Sequence, residues 1–269
     1  LTKKIGIMGC GWLGLPLAKH LIEKGYTIHG TTTSSSKLKV LQDEGITPFS
    51  VRLSETGIDG DIEGFLSDIK TLIINVPPKL RGKHTESFVE KMKFLMAEIK
   101  KSEVSHILFV SSTAVYGNAE GEITEASPTQ PATKSGKQLL ESENLLANEE
   151  RFKTTIIRFG GLIGPDRHPV TMLSDRENLT NGNHPINLIH LNDCIHMMFT
   201  IMEQGYWGEV FNGVYPHHPK KQVYYFEEAQ KRGLPAPSYK TESIKKEGKM
   251  VLSKNFLDKG HLFTTSIIS

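Results

Sequence analysis

Residues 3–30 read Lys3-Lys4-Ile5-Gly6-Ile7-Met8, Gly9-Cys10-Gly11-Trp12-Leu13-Gly14, the amphipathic run Leu15 to Lys24, and Gly25-Tyr26-Thr27-Ile28-His29-Gly30. The order is strand, glycine loop, helix, strand. A G-x-G-x-x-G carries little weight alone, but after a short apolar strand and at the opening of a helix it is the setting that binds dinucleotides. Gly9 allows the tight turn, Gly11 lets the backbone approach a pyrophosphate, and Gly14 lets the helix pack closely on the sheet. The backbone of Trp12 and Leu13 lies at the positive end of that helix, where unpaired N–H groups receive phosphates. Pro16 falls in the early helix, where its missing N–H costs little.

Beyond this unit, apolar runs bounded by turn residues recur at Pro48 to Leu53, Thr71 to Val76, His106 to Ser111 and Thr154 to Arg158. Helix-period segments lie between most of them: Lys37 to Glu44, Thr85 to Lys101 and Ser135 to Asn148. Strands alternating with helices predict an α/β, doubly wound parallel sheet. After Gly164 the pattern changes to loops, and Ile186 to Leu191 and Glu209 to Asn212 are expected as short returning strands. The division expected is a sheet domain over 1–165 with 186–215 returning to it. A small substrate lobe is expected from 166–185 and 216–269, over the carboxyl edge where open α/β sheets bind ligands.

The chain has 269 residues, with 32 basic and 30 acidic side chains and a formal charge of +2. No basic stripe with interleaved aromatics appears, so nucleic acid is a poor partner. Cys10 and Cys194 have no zinc-ligand spacing, and the simple reading is reduced thiols in a cytoplasmic protein. No segment reaches the ~18 apolar residues of a membrane span, and no signal-peptide pattern precedes the first strand. His217-His218 without acidic company is a poor metal site.

The end of the second strand, where an acidic residue would accept from the adenosine ribose of NAD, reads instead Gly30-Thr31-Thr32-Thr33-Ser34-Ser35-Ser36-Lys37. Hydroxyl donors and a lysine suit a 2′-phosphate, whereas a carboxylate would repel it, so NADP is favoured while NAD stays open. The same residues also suit a helix cap. Asn75-Val76-Pro77-Pro78, closing the strand at Thr71, is expected over the cofactor.

Val110-Ser111-Ser112-Thr113-Ala114-Val115-Tyr116-Gly117, Thr124-Glu125-x-x-Pro128, Ser135-Gly136-Lys137, Ile157-Arg158-Phe159 and Gly164-Pro165 follow a familiar running order. The chain resembles the extended short-chain dehydrogenases/reductases, in their NAD-dependent epimerase/dehydratase branch, and most closely the small atypical YeeZ-like group. The resemblance spans nearly the whole chain and implies a Rossmann-type sheet with a small C-terminal substrate lobe. The branch usually spaces its glycines G-x-x-G-x-x-G, so this loop already marks an atypical member. The resemblance assigns Ser112 to polarising a substrate oxygen and Lys137 to holding the nicotinamide ribose, with Ser111 beside the cofactor. It also implies possible homodimers through the helix that carries Lys137.

Thr133 stands where that family has its catalytic tyrosine. Four residues along a helix put Thr133 and Lys137 on one face. A phenol starts near pKa ~10 and an aliphatic hydroxyl near about 15.7, so an alkoxide costs on the order of 7 kcal/mol more. Thr133 is therefore a relay and not a general base. Thr113, Tyr116, Arg167, His168 and His190 remain as residues expected to face a substrate, with histidine the natural titrating group near neutral pH.

Two readings follow, with a third behind them. One is an NADP-dependent oxidoreductase or epimerase-like enzyme on a small polar or sugar-nucleotide-like substrate. Another is a cofactor sensor that has lost hydride chemistry with its tyrosine. The third is a β-hydroxyacid dehydrogenase, whose opening Gly9 to Ala18 and Asn75-Val76-Pro77 resemble, although no G-x-x-x-N-x-x-K helix exists here.

Overall fold

The computed structural model describes residues 3–78, 86–241 and 247–268. Thr85, which begins one expected helix, and residues 242–246 of the lysine-rich stretch lie outside the described residues. The first half comprises β1 (Lys4–Met8), α1 (Gly14–Glu23), β2 (Thr27–Thr32), α2 (Ser35–Asp43), β3 (Thr47–Ser54), β4 (Gly57–Gly60), α3 (Ile62–Leu66), β5 (Thr71–Ile74), α4 (Phe88–Ile99) and β6 (His106–Ser112). A turn of 3-10 helix at Thr113–Tyr116 leads to β7 (Gly121–Ile123), α5 (Lys134–Ala147), β8 (Lys153–Phe159), β9 (Gly161–Ile163) and α6 (Pro169–Leu173). The remainder is β10 (Leu188–His190), α7 (Leu191–Gln204), β11 (Val210–Gly213), α8 (Lys221–Lys231), β12 (Lys249–Val251) and α9 (Lys254–Asp258). Among the described residues no helix is long and apolar enough to cross a membrane.

Eight strands form one sheet in the order β11-β8-β6-β5-β1-β2-β3-β4. Its pairs are parallel except for the β3–β4 hairpin. From β1 the chain builds outward through β2 and β3, then returns to β5 and builds the other way. The carboxyl ends of the neighbours β1 and β5 therefore diverge at a topological switch point, which opens the crevice where such sheets bind ligands.

Parallel strands covered by helices on both faces must be apolar at consecutive positions. Leu72 and Ile74 join Ile107 and Phe109 in the core beneath α3, α4 and α5, while Ile73 and Leu108 point the other way, into the core with Leu17, Leu21, Met197 and Phe211. A third cluster, including Val170, Leu188, Tyr224 and Tyr225, forms the small lobe.

The expected division differs from the structure in two places. Of the two returning strands only β11 enters the main sheet, beside β8; β10 pairs with β9 in a separate ribbon. Nor does the segment after 216 stay in the lobe: β12 pairs with β7, and Asp193 of α7 accepts from the N–H groups of Thr264 and Thr265. A three-residue strand whose partner lies more than a hundred residues away leaves no periodicity to read.

The two halves of the sheet's edge are held by buried polar groups. Arg158 of β8 forks onto Glu143 of α5, with Nη2 to Oε2 at 2.6 Å, and its Nη1 donates to Tyr116 Oη at 3.0 Å. Tyr116 donates to Asn212 Oδ1 at 2.8 Å, and Ser111 donates to Glu143 Oε1 at 2.5 Å. Removing one member leaves a buried charge uncompensated, which costs about 3–5 kcal/mol. Arg158→Met should therefore lower the melting temperature by roughly 10 °C, with partial recovery in Arg158→Met/Glu143→Leu, measured by calorimetric unfolding.

Candidate functional site

The glycine loop and the end of β5 interlock at the switch point. Gly9 has φ of +100°, and a Cβ there would stand 2.5 Å from Asn75 O. Asn75 Nδ2 donates to Gly9 O at 3.2 Å, and Val76 packs on the same residue. A Cβ on Gly14 would meet Gly9 O at 2.1 Å, so α1 presses directly on the loop. Gly11 differs: it is exposed, and a Cβ there meets nothing within 4 Å. The protein's own packing does not require that glycine, whereas a phosphate against the backbone does. Because α1 also begins with no side-chain cap and no acidic residue in its first turn, the loop fits a dinucleotide's pyrophosphate.

Of the hydroxyl run, Thr31 is buried and its Oγ1 accepts from Gly9 N–H at 2.9 Å. It braces the loop from behind, which corrects its expected place against the nucleotide. Thr32 Oγ1 accepts from Ser34 N–H at 3.2 Å, and Ser34 pairs with Ser36 through their hydroxyls at 2.9 Å. Thr33 and Lys37 are exposed at the head of α2. Val76, Pro77 and Pro78 follow β5 past the loop, with Pro77 exposed.

On the other side of the crevice, Ser112 ends β6 and its Oγ accepts from Ala114 N–H at 3.2 Å. Gly136 brings α5 against this turn, since a Cβ there would lie 2.8 Å from Ala114 O. Ser112, Thr133 and Lys137 are thus carried by two elements in direct contact. Thr133 stands just before α5 in extended conformation and is its cap, accepting from Gly136 N–H at 3.1 Å. It is not a second residue on a helix face. The four-residue spacing survives through the backbone, where Lys137 N–H donates to Thr133 O at 3.0 Å, and the Lys137 side chain is exposed.

Three expected contacts belong to the fold instead. Ser111 is engaged by Glu143, and Tyr116 is fully buried between Arg158 and Asn212, with burial pushing its phenol up against the opposing pull of Arg158. His168 caps α6 through Nδ1, which accepts from Val170 N–H at 3.2 Å. Its Nε2 lies 2.9 Å from Tyr224 Oη, and that hydroxyl donates to Ile267 O at 2.7 Å, so the imidazole is neutral with its proton on Nε2. Burial, with the charge of Arg232, pushes its pKa down to about 4.

His190 caps α7 by accepting from Asn192 N–H at Nδ1, is half-buried, and has its pKa lowered by burial. Arg167 is exposed, with its guanidinium over the Trp12 ring at 4.9 Å from the centroid, so it stands at the glycine loop. Thr113 is buried, and its carbonyl accepts from Lys249 Nζ at 2.9 Å; the same amine donates to Gly117 O at 2.9 Å. A cleft of about 520 Å³ opens beside this turn, lined by Asn118, Glu120, Asn187, Leu188, Tyr225 and Lys249 among others. Sequence reasoning missed Lys249, Tyr225 and Asn187, which carry no motif. Both thiols are buried, with burial pushing Cys10 up to about 12 and Cys194 well above its ordinary value.

Gly11→Asp should keep the melting temperature near that of the parent and abolish dinucleotide binding, whereas Gly14→Ala should destabilise the fold by about 1–3 kcal/mol; calorimetric titration and unfolding separate the two. For His168 the folded pKa of about 4 lies below the ordinary 6.5, so the unfolded chain takes up the proton first. Stability is full above pH 6.5 and declines as pH falls toward 4. His168→Asn, which keeps a cap acceptor, should flatten that part of the melting-temperature profile.

The NAD(P)H-binding family model matches residues 9–189. Protein YeeZ of Escherichia coli (strain K12) is 32% identical over 250 residues, covering 93% of this chain and 91% of the relative. Among solved structures, UDP-glucose 4-epimerase from Thermotoga maritima, with UDP-glucose, has a TM-score of 0.79 at 18% identity, covering 98% of this chain and 94% of that one. UDP-glucuronic acid 4-epimerase from Bacillus cereus, in complex with NAD, has a TM-score of 0.74 at 18% identity, covering 94% and 90%. The fold, the glycine loop and the relationship to YeeZ agree, and the chain belongs to the NAD(P)H-binding family and is a relative of YeeZ.

Proposed function

We infer that this protein is an NADP-dependent oxidoreductase or epimerase-like enzyme acting on a small polar or sugar-nucleotide-like substrate. The observation that carries the reading is the contact between the Ser112 turn and the start of α5, with a cleft of about 520 Å³ opening at Gly117 to Glu120 just after that turn. When bound, the nicotinamide cofactor supplies the hydride acceptor or donor.

The chain's own residues divide the remaining work. Ser112 polarises the substrate oxygen, and Lys137 holds the nicotinamide ribose. Thr133 accepts from Gly136 N–H through its oxygen, so its own proton stays available to donate a hydrogen bond. His190, whose Nδ1 accepts from Asn192 N–H, directly precedes Leu191, which packs against Gly164. Preference for the phosphorylated cofactor rests on Thr32, Thr33, Ser34 and Lys37 with no carboxylate among them.

A sensor reading is favoured by one observation: the hydroxyl at the tyrosine position has a structural task as a helix cap. Titration of nucleotide-free protein with NADPH, NADP, NADH and NAD, followed by carbonyl-reductase assays, separates the readings. Turnover with NADPH that is lost in Lys137→Ala supports the enzyme. Tight binding without turnover, together with no gain of reductase activity in Thr133→Tyr, supports the sensor.

A further inference from the structure

Arg167 is a cation with a fixed seat. Gly164 N–H donates to Arg167 O at 2.9 Å and Arg167 N–H to Gly164 O at 3.2 Å, so the turn Gly164-Pro165-Asp166-Arg167 is closed from both sides. Pro165 occupies its second position, where a fixed φ favours turning. This turn rests on the glycine loop. A Cβ on Gly164 would come within 2.8 Å of Trp12 Cζ2, and the Arg167 guanidinium stacks over the same indole.

Stacking engages the face of a guanidinium and leaves its N–H donors for another acceptor. No described residue supplies a carboxylate for them: the arginine ion pairs among the described residues are Arg158 with Glu143 and Arg232 with Glu228. The first turn of α1, Gly14-Leu15-Pro16-Leu17, holds no charged side chain. Two phosphate charges on the loop would otherwise meet only the helix end, worth about half an elementary charge.

We propose that Arg167 is a clasp for the cofactor's pyrophosphate, reaching from the lobe across Trp12 to the phosphates on the glycine loop. This assigns the residue to the cofactor and not to the substrate, and it rests on the reading of the loop as a dinucleotide site. Arg167 is followed directly by His168, which ties α6 to Tyr224 and through it to Ile267, so the clasp also joins the lobe to the bound nucleotide.

The test uses the full chain with Trp207→Phe, which leaves Trp12 as the single tryptophan of the two. Dissociation constants for NADPH, NADH, ADP and, by competition, adenosine are measured for this protein and for its Arg167→Ala and Arg167→Lys forms, at low and high salt. Arg167→Ala should weaken NADPH, NADH and ADP by roughly ten- to a hundred-fold while leaving adenosine unchanged, as expected for a hydrogen-bonded charge pair. Arg167→Lys should recover part of the loss, and NADPH should change Trp12 emission. Binding of NADPH with the same constant in Arg167→Ala overturns the clasp alone, as does an equal loss for adenosine and ADP. Absence of binding to the parent chain overturns the dinucleotide reading, and the clasp with it.

Discussion

The structure turns on the contact between Gly9 and Asn75, where the ends of two neighbouring parallel strands meet and their connections leave in opposite directions. Gly9 must adopt a positive φ, Asn75 presses its carbonyl where a Cβ would be, and Gly14 brings α1 onto the Gly9 carbonyl. Thr31 closes the arrangement from β2 by accepting the Gly9 N–H. Four elements are thereby fixed at one point, and of the three loop glycines the packing leaves only Gly11 open, exposed between them. Binding geometry and fold are two consequences of the same close approach.

A second set of constraints shapes the opposite wall. Arg158, Glu143, Tyr116, Asn212 and Ser111 satisfy one another inside the protein, linking β6, β8, β11 and α5. A buried charge pair is tolerated when its lone pairs and protons are met, and here nearly every group is. Lys249 adds a brace from the C-terminal segment by holding the carbonyls of Thr113 and Gly117. The turn after Ser112 is thus braced, and the cleft begins where it ends, at Gly117 to Glu120. That bracing is compatible with the role proposed for Ser112.

Thr133, at the position where the resemblance expects a tyrosine, is the cap of α5. Threonine is a good helix cap and tyrosine is not, so the residue supplies the start of α5 with a hydrogen bond. Lys137 and Ser112 keep their places around it.

The sequence by itself determined the glycine loop, the alternation of strands and helices and the hydroxyl-rich end of β2, because each is a local pattern set by backbone conformation or by the period of burial. It also determined that Thr133 and Lys137 lie one turn apart. The tertiary structure alone decided which polar residues remain available. Ser111, Tyr116 and His168 carry the right chemistry for a site, yet their partners Glu143, Arg158, Asn212 and Tyr224 come from distant segments that engage them in the interior. The same holds for β7 with β12 and β9 with β10, three-residue strands whose pairing is set by packing and not by propensity. Arg167 was legible as a candidate, but its side was not, since only the folded chain brings a turn at 164–167 onto an indole at position 12.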